Sequence, residues 1–133
     1  DGRASSRQKT DEEYCDDLIE FVGDLKLQGV IVDPSAASFI AALKKRRRFR
    51  VVQAVNDVID GIRNVASALS EGLIKYNDCC TETFREFSSY VWDEKAAARG
   101  EDKPLKENDH QMDGDRYFVN TVVKRKNGIS ILK

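Results

Sequence analysis

Val51-Val52-Gln53-Ala54-Val55-Asn56-Asp57-Val58-Ile59-Asp60-Gly61-Ile62-Arg63-Asn64-Val65-Ala66-Ser67-Ala68-Leu69 is the stretch on which the fold turns. Val51, Val55, Val58, Ile62, Val65 and Leu69 recur three and four residues apart, the period of an α-helix. Val52, Ile59 and Ala66 widen the stripe, as a helix packed against two or more neighbours requires. Gly61 inside it weakens the helix slightly, because glycine loses the most backbone freedom on folding.

Working outward, the same period predicts three more helices. Thr10-Asp11-Glu12-Glu13 reads as a capping box, in which the threonine and the glutamate satisfy each other's free amides. Tyr14, Leu18, Phe21, Val22 and Leu25 follow at helical spacing, and Gly29 ends that helix, which spans about 11–28. Asp33-Pro34 reads as an N-cap followed by proline at the first helical position. Ala36, Phe39, Ile40 and Leu43 then form the buried face of a short second helix running to about 47. Ser70-Glu71 reads as a fresh start, and Leu73, Tyr76, Cys80, Phe84, Phe87 and Val91 give a fourth helix over about 71–93. Its two phenylalanines are large enough to dominate the packing.

Residues 94–115 lack an apolar period and hold Gly100, Pro104 and Gly114, which predicts a loop. Tyr117, Val119, Thr121 and Val123 then alternate with Phe118, Asn120 and Val122, the pattern of a strand. Asn127-Gly128 is a two-residue hairpin turn, and Ile129 to Leu132 the return strand. The expected fold is all-α: an up-down four-helix bundle over 11–93, a flexible segment at 1–10, and a charged loop with a β-hairpin at 94–133.

Composition excludes several functions. The 22 lysines and arginines nearly balance 23 aspartates and glutamates, so the whole chain exerts little net pull on nucleic acid. His110 is the single histidine, which rules out a histidine metal centre and gives no metal or cofactor set. No phosphate loop, dinucleotide fingerprint or nucleophile elbow occurs, so the expectation is a protein that is not an enzyme. Asp109, Gln111, Asp113 and Gly114 copy the opening of a calcium loop, but Asn120 stands where a bidentate glutamate closes the cage, so a polar turn is the better reading. Asp16, Asp17 and Glu20 read as a solvated acidic face.

The charge is nonetheless uneven. Residues 1–33 carry four positive and nine negative side chains, which can orient docking. Lys44, Lys45, Arg46, Arg47, Arg48 and Arg50 put six cations within seven residues. Such a run repels itself. It is either a solvated helix end, where cations suit the negative end of the dipole, or a surface for an acidic protein, nucleic acid or anionic lipid. These six are the candidate partner-binding residues. Cys15 could pair with Cys79 or Cys80, leaving one thiol free, or all three could be buried thiols.

Residues Val58 to Ser67, then Leu73-Ile74-Lys75-Tyr76 and Thr81-Glu82-Thr83, resemble the last two helices of PsbQ, a family of extrinsic subunits of photosystem II. Pro34-Ser35 and the arginine-rich helix after it resemble that family's second helix. The resemblance implies a monomeric, non-catalytic protein of the thylakoid lumen, its targeting peptide removed. It implies docking on the photosystem II core beside other extrinsic subunits, touching the membrane only through them. There it would support oxygen evolution by helping retain calcium and chloride. A second resemblance, from Asp24 to Val30 and from Phe39 to Leu43, is to one pentatricopeptide repeat and implies RNA binding. A small adaptor in another assembly is the third expectation.

Overall fold

Thr10 begins the first helix as its sequence predicts. Its hydroxyl accepts from the Glu13 amide at 3.2 Å, and the Glu13 carboxylate accepts from the Thr10 amide at 2.7 Å. The chain is described by a computed structural model covering residues 7–124; the predicted hairpin turn at Asn127-Gly128 and its return strand lie outside the described residues. These residues are mostly helical with one two-stranded parallel sheet. The chain divides into two compact units, Asp1–Gln53 and Ala54–Lys133.

In the first unit, α1 (Asp11–Val22), β1 (Val30–Val32), α2 (Ala37–Arg46) and β2 (Val51–Gln53) follow one another. The strands pair in parallel with Val30 opposite Val51, Ile31 opposite Val52 and Val32 opposite Gln53. Parallel neighbours need a crossover, and α2 supplies it. Helix α1 stops at Gly23 (φ 55°), six residues before the predicted Gly29, because Gly23 adopts a backbone that side-chain-bearing residues rarely take. It therefore buries Cys15 and Val22, half-buries Leu18 and leaves Tyr14 and Phe21 exposed, and Leu25 beyond its end is exposed too. Asp33 does not cap α2. Its carboxylate accepts from the Ser35 amide at 2.9 Å, which closes a turn, so the helix starts at Ala37. Ile40 and Leu43 are buried as expected and form a core with Cys15, Val32 and Ala42, against which Ala36 and Phe39 pack.

The second unit holds α3 (Val58–Ser70), α4 (Thr81–Ser89), α5 (Glu94–Ala98), α6 (His110–Phe118) and a π-helical turn, Val119–Val123, that continues α6. Here the four-helix reading is corrected at several points. Val51-Val52, the front of the predicted third helix, is strand, and the helix begins after Asp57. Ser70-Glu71 ends α3 instead of starting a helix, and Gly72 turns the chain at φ 69°. Asn77 then holds a turn, its side chain accepting from the Cys79 amide, so α4 starts only at Thr81. Phe84 and Phe87 remain partly exposed and meet Tyr76 edge-on, with centroids 6.2 and 5.7 Å away. The predicted loop at 94–115 contains α5, capped by the Asp93 carboxylate, and the start of α6.

The predicted strand at 117–123 is helical. Two patterns compete there, and the buried set Arg116, Val119, Asn120 and Val123 follows the helical one. Packing on α3 decides it: Val119 and Val123 share a core with Val65 and Ala68. The π-turn, with its extra residue, turns both Val119 and Asn120 inward. Gly61 lets α3 approach α6; a Cβ there would lie 3.1 Å from Arg116 Cδ and 3.0 Å from Asn120 Nδ2.

Candidate functional site

The basic run sits at the corner where α2 turns into β2. Helix α2 ends when Arg47 takes the left-handed conformation, φ 52°, and its amide donates to the Lys44 carbonyl at 3.2 Å. At the other end of the turn, the Arg50 carbonyl accepts from the Val30 amide at 2.8 Å. The backbone between is thus held at both ends. Phe49 turns inward against the first unit's core.

The six cations divide into two kinds. Arg46 lies back over α1 and grips it. Its guanidinium meets Asp16 Oδ1 at 2.6 Å and Glu12 Oε2 at 2.8 Å, and also donates to the Glu12 carbonyl at 3.2 Å. Hydrogen bonds to Asp16, then to Glu12, push the Arg46 pKa further up. So Asp16, read as part of a solvated acidic face, is half of a clamp between helices. Arg48 donates to the Gly23 carbonyl at 3.2 Å, where α1 ends. Lys44, Lys45, Arg47 and Arg50 are exposed, and among the described residues no carboxylate lies within ion-pair reach of them.

The second unit buries a few polar side chains, among them Asn64, Asp109, Arg116 and Asn120. Arg116, 3% exposed, meets Asp113 Oδ1 at 2.6 Å and lies over the Tyr117 ring. Asn64 Nδ2 donates to Asn120 Oδ1 where α3 meets the end of α6. The Glu86 carboxylate accepts from the amides of Gln111 and Met112 at 2.7 and 3.1 Å, so α4 caps the start of α6. Tyr76 donates its hydroxyl to Asp115 Oδ2 at 2.8 Å. Burial raises the pKa of both groups; for Asp115 the Tyr76 hydrogen bond works the other way. Lys106 meets the buried Asp109 at 2.7 Å. The Asp109–Gly114 stretch, read as a polar turn, is instead the start of α6, and Asp109 and Asp113 hold Lys106 and Arg116. A cavity of about 240 Å³ lies between α3, α4 and α6, walled mainly by Ile62, Val65, Leu69, Phe87 and Met112.

All three cysteines are free thiols: Cys15 is buried in the first unit's core, Cys79 is exposed and Cys80 half-buried. Burial pushes the Cys15 thiol pKa up. Sequence reasoning missed the buried Asn64 and Arg116 and the half-buried pair Tyr76 and Asp115. Met112, Arg116, Val119 and Val123 at helical spacing, with Asp113 three residues before Arg116, were the available signal.

This chain is similar to the large terminase of a thermophilic bacteriophage. Against the form in complex with ADP, 64% of aligned residues are identical and the TM-score is 0.84, over 92% of this chain and 31% of that one. The form in complex with ATP-gamma-S gives 64% identity and a TM-score of 0.84, over 92% and 32%. A further crystal structure of that terminase gives 64% and 0.83, over 92% and 31%. The chain thus spans about a third of the length of the proteins it matches. No family model and no curated protein matches it.

These likenesses overturn the photosystem II reading, which rested on helix spacing that any amphipathic helix shares. With it go the photosystem II core and extrinsic subunits as partners, the role in oxygen evolution, and the thylakoid lumen. The pentatricopeptide reading falls too. So does the expectation of a non-enzyme, since the similar proteins are terminases, held with ADP or ATP-gamma-S.

Proposed function

We propose that this chain is a segment of a large terminase, the ATP-driven enzyme that packages phage DNA, acting in the cytoplasm of an infected cell with DNA, portal and small terminase as partners. One observation carries the reading: 64% identity sustained over 92% of the chain, with a TM-score of 0.84. The 133 residues contain no G-x-x-x-x-G-K-S/T phosphate loop. On this reading the nucleotide is held by the other two-thirds of the longer protein, and this segment contributes its two units to the DNA-handling part.

The test is to isolate the complete reading frame that encodes these residues and purify its product. ATP turnover that rises with added duplex DNA is the expected result. A product that neither hydrolyses ATP nor binds DNA refutes the proposal.

A further inference from the structure

We infer that the α2–β2 corner is a grip for the phosphate backbone of duplex DNA, made by Lys44, Lys45, Arg47 and Arg50. The inference rests on the terminase reading for the kind of polyanion, and on the corner's own geometry for the residues. Lys44, Lys45, Arg47 and Arg50 stand exposed within seven residues, beside Arg48, which is exposed but donates to the Gly23 carbonyl, and no described carboxylate pairs with them. Left alone they repel one another; a chain of phosphates relieves that repulsion and releases its counterions.

The surrounding structure favours this partner over others. An interface with a folded protein draws most of its affinity from a few anchors, chiefly Trp, Tyr and Arg, in central, well-packed and desolvated pockets. Between Lys44 and Arg50 the one aromatic is Phe49, and it packs into the core. Binding a single strand calls for an aromatic platform on which bases stack, and Phe49 is turned away from that role too. What remains is charge alone on a held backbone, which suits a regular double row of phosphates. The Arg47 amide bonded to the Lys44 carbonyl at one end and the Arg50 carbonyl bonded to the Val30 amide at the other fix the backbone that carries the four cations. Arg46 takes no part. Glu12 and Asp16 neutralise it, and its task is to hold α2 to α1.

The test uses the complete protein and a nonspecific duplex, with affinity measured by fluorescence anisotropy across a range of salt. Removing one cation–phosphate pairing makes the log–log salt slope shallower by ~0.9. A variant carrying Lys44→Gln, Lys45→Gln, Arg47→Asn and Arg50→Gln should therefore have a slope shallower by about 3 to 4 and bind at least about tenfold more weakly at low salt. Asparagine is chosen at 47 because it tolerates the left-handed backbone there. Should that variant fold poorly, Lys44→Gln with Lys45→Gln alone should lower the slope by about 1 to 2. Arg46→Gln should leave the slope unchanged while lowering the melting temperature. If the unmodified protein binds duplex steeply and the quadruple variant matches it, the grip is elsewhere and the inference fails while the terminase reading stands. If the unmodified protein does not bind duplex at all, the terminase reading fails first.

Discussion

Gly61→Ala offers the sharpest check on the second unit's architecture. Alanine normally stabilises a helix interior relative to glycine, by about 0.5–1 kcal/mol. At position 61 the added methyl would lie 3.0 Å from Asn120 Nδ2, 3.1 Å from Arg116 Cδ and 3.3 Å from Arg116 Cβ, all closer than ordinary van der Waals approach. The Arg116 Cβ is fixed to the α6 backbone, so it cannot swing aside without moving the helix. Overpacking of this kind costs about 1–3 kcal/mol. The net expectation is a loss of roughly 1–2 kcal/mol, or ~4–16 °C in Tm for a unit of this size. Gly114 supplies the contrast, because it also lies in a helix of the second unit but has nothing within 4 Å of an added Cβ. There the helical preference acts alone, and Gly114→Ala should raise stability by about 0.5–1 kcal/mol. Thermal unfolding followed by circular dichroism reads both variants through the same transition. A Gly61→Ala protein that melts at or above the parent temperature would refute the close α3–α6 approach.

Three further outcomes follow from the structure. Leu43, fully buried in the first unit, should cost about 2–5 kcal/mol when changed to alanine, read as a lower midpoint in urea unfolding. Glu13, held near a pKa of about 2 first by Arg7 and then by the Thr10 amide, favours the folded state. That contribution is whole above the ordinary glutamate pKa and is lost as pH falls through about 2, so Glu13→Gln should flatten the acid limb of a Tm–pH profile. Asp115 has the opposite sign: its folded pKa is raised, chiefly by burial, so the folded state binds more protons and loses stability as pH rises from the ordinary aspartate pKa through the folded one. Tyr76→Phe removes the hydrogen bond that favours the charged form and should raise the Asp115 pKa further, measured by carboxyl NMR titration.

Much of the local structure is legible from residue types. The Thr10–Glu13 capping box, the Ile40 and Leu43 face of α2 and the helical period of Val58 to Leu69 need only neighbours in sequence, and each is present. What the sequence hides is set by distant partners. Val30-Ile31-Val32 and Val51-Val52 are strands of a few residues that only their mutual pairing defines, and Val51-Val52 also continues a helical stripe. Residues 117–123 satisfy both the strand and the helix period until α3 chooses between them. At the basic run, sequence shows six cations, and only the packing of α1 on α2 shows that Arg46 is already committed to Glu12 and Asp16.

The hydrogen bond that closes the second unit, Asn64 to Asn120, joins residues 56 positions apart, and the Val55 amide reaches Thr121 across 66. Arg46 reaches back to Glu12 across only 34. On a ribosome adding about 5–20 residues per second, α3 therefore emerges roughly 3–12 seconds before the segment that covers it. Through that interval Val65 and Ala68 are bare, whereas the first unit already has both sides of its core. The window for chaperone capture thus opens at α3 and shuts with the arrival of Val119 and Val123.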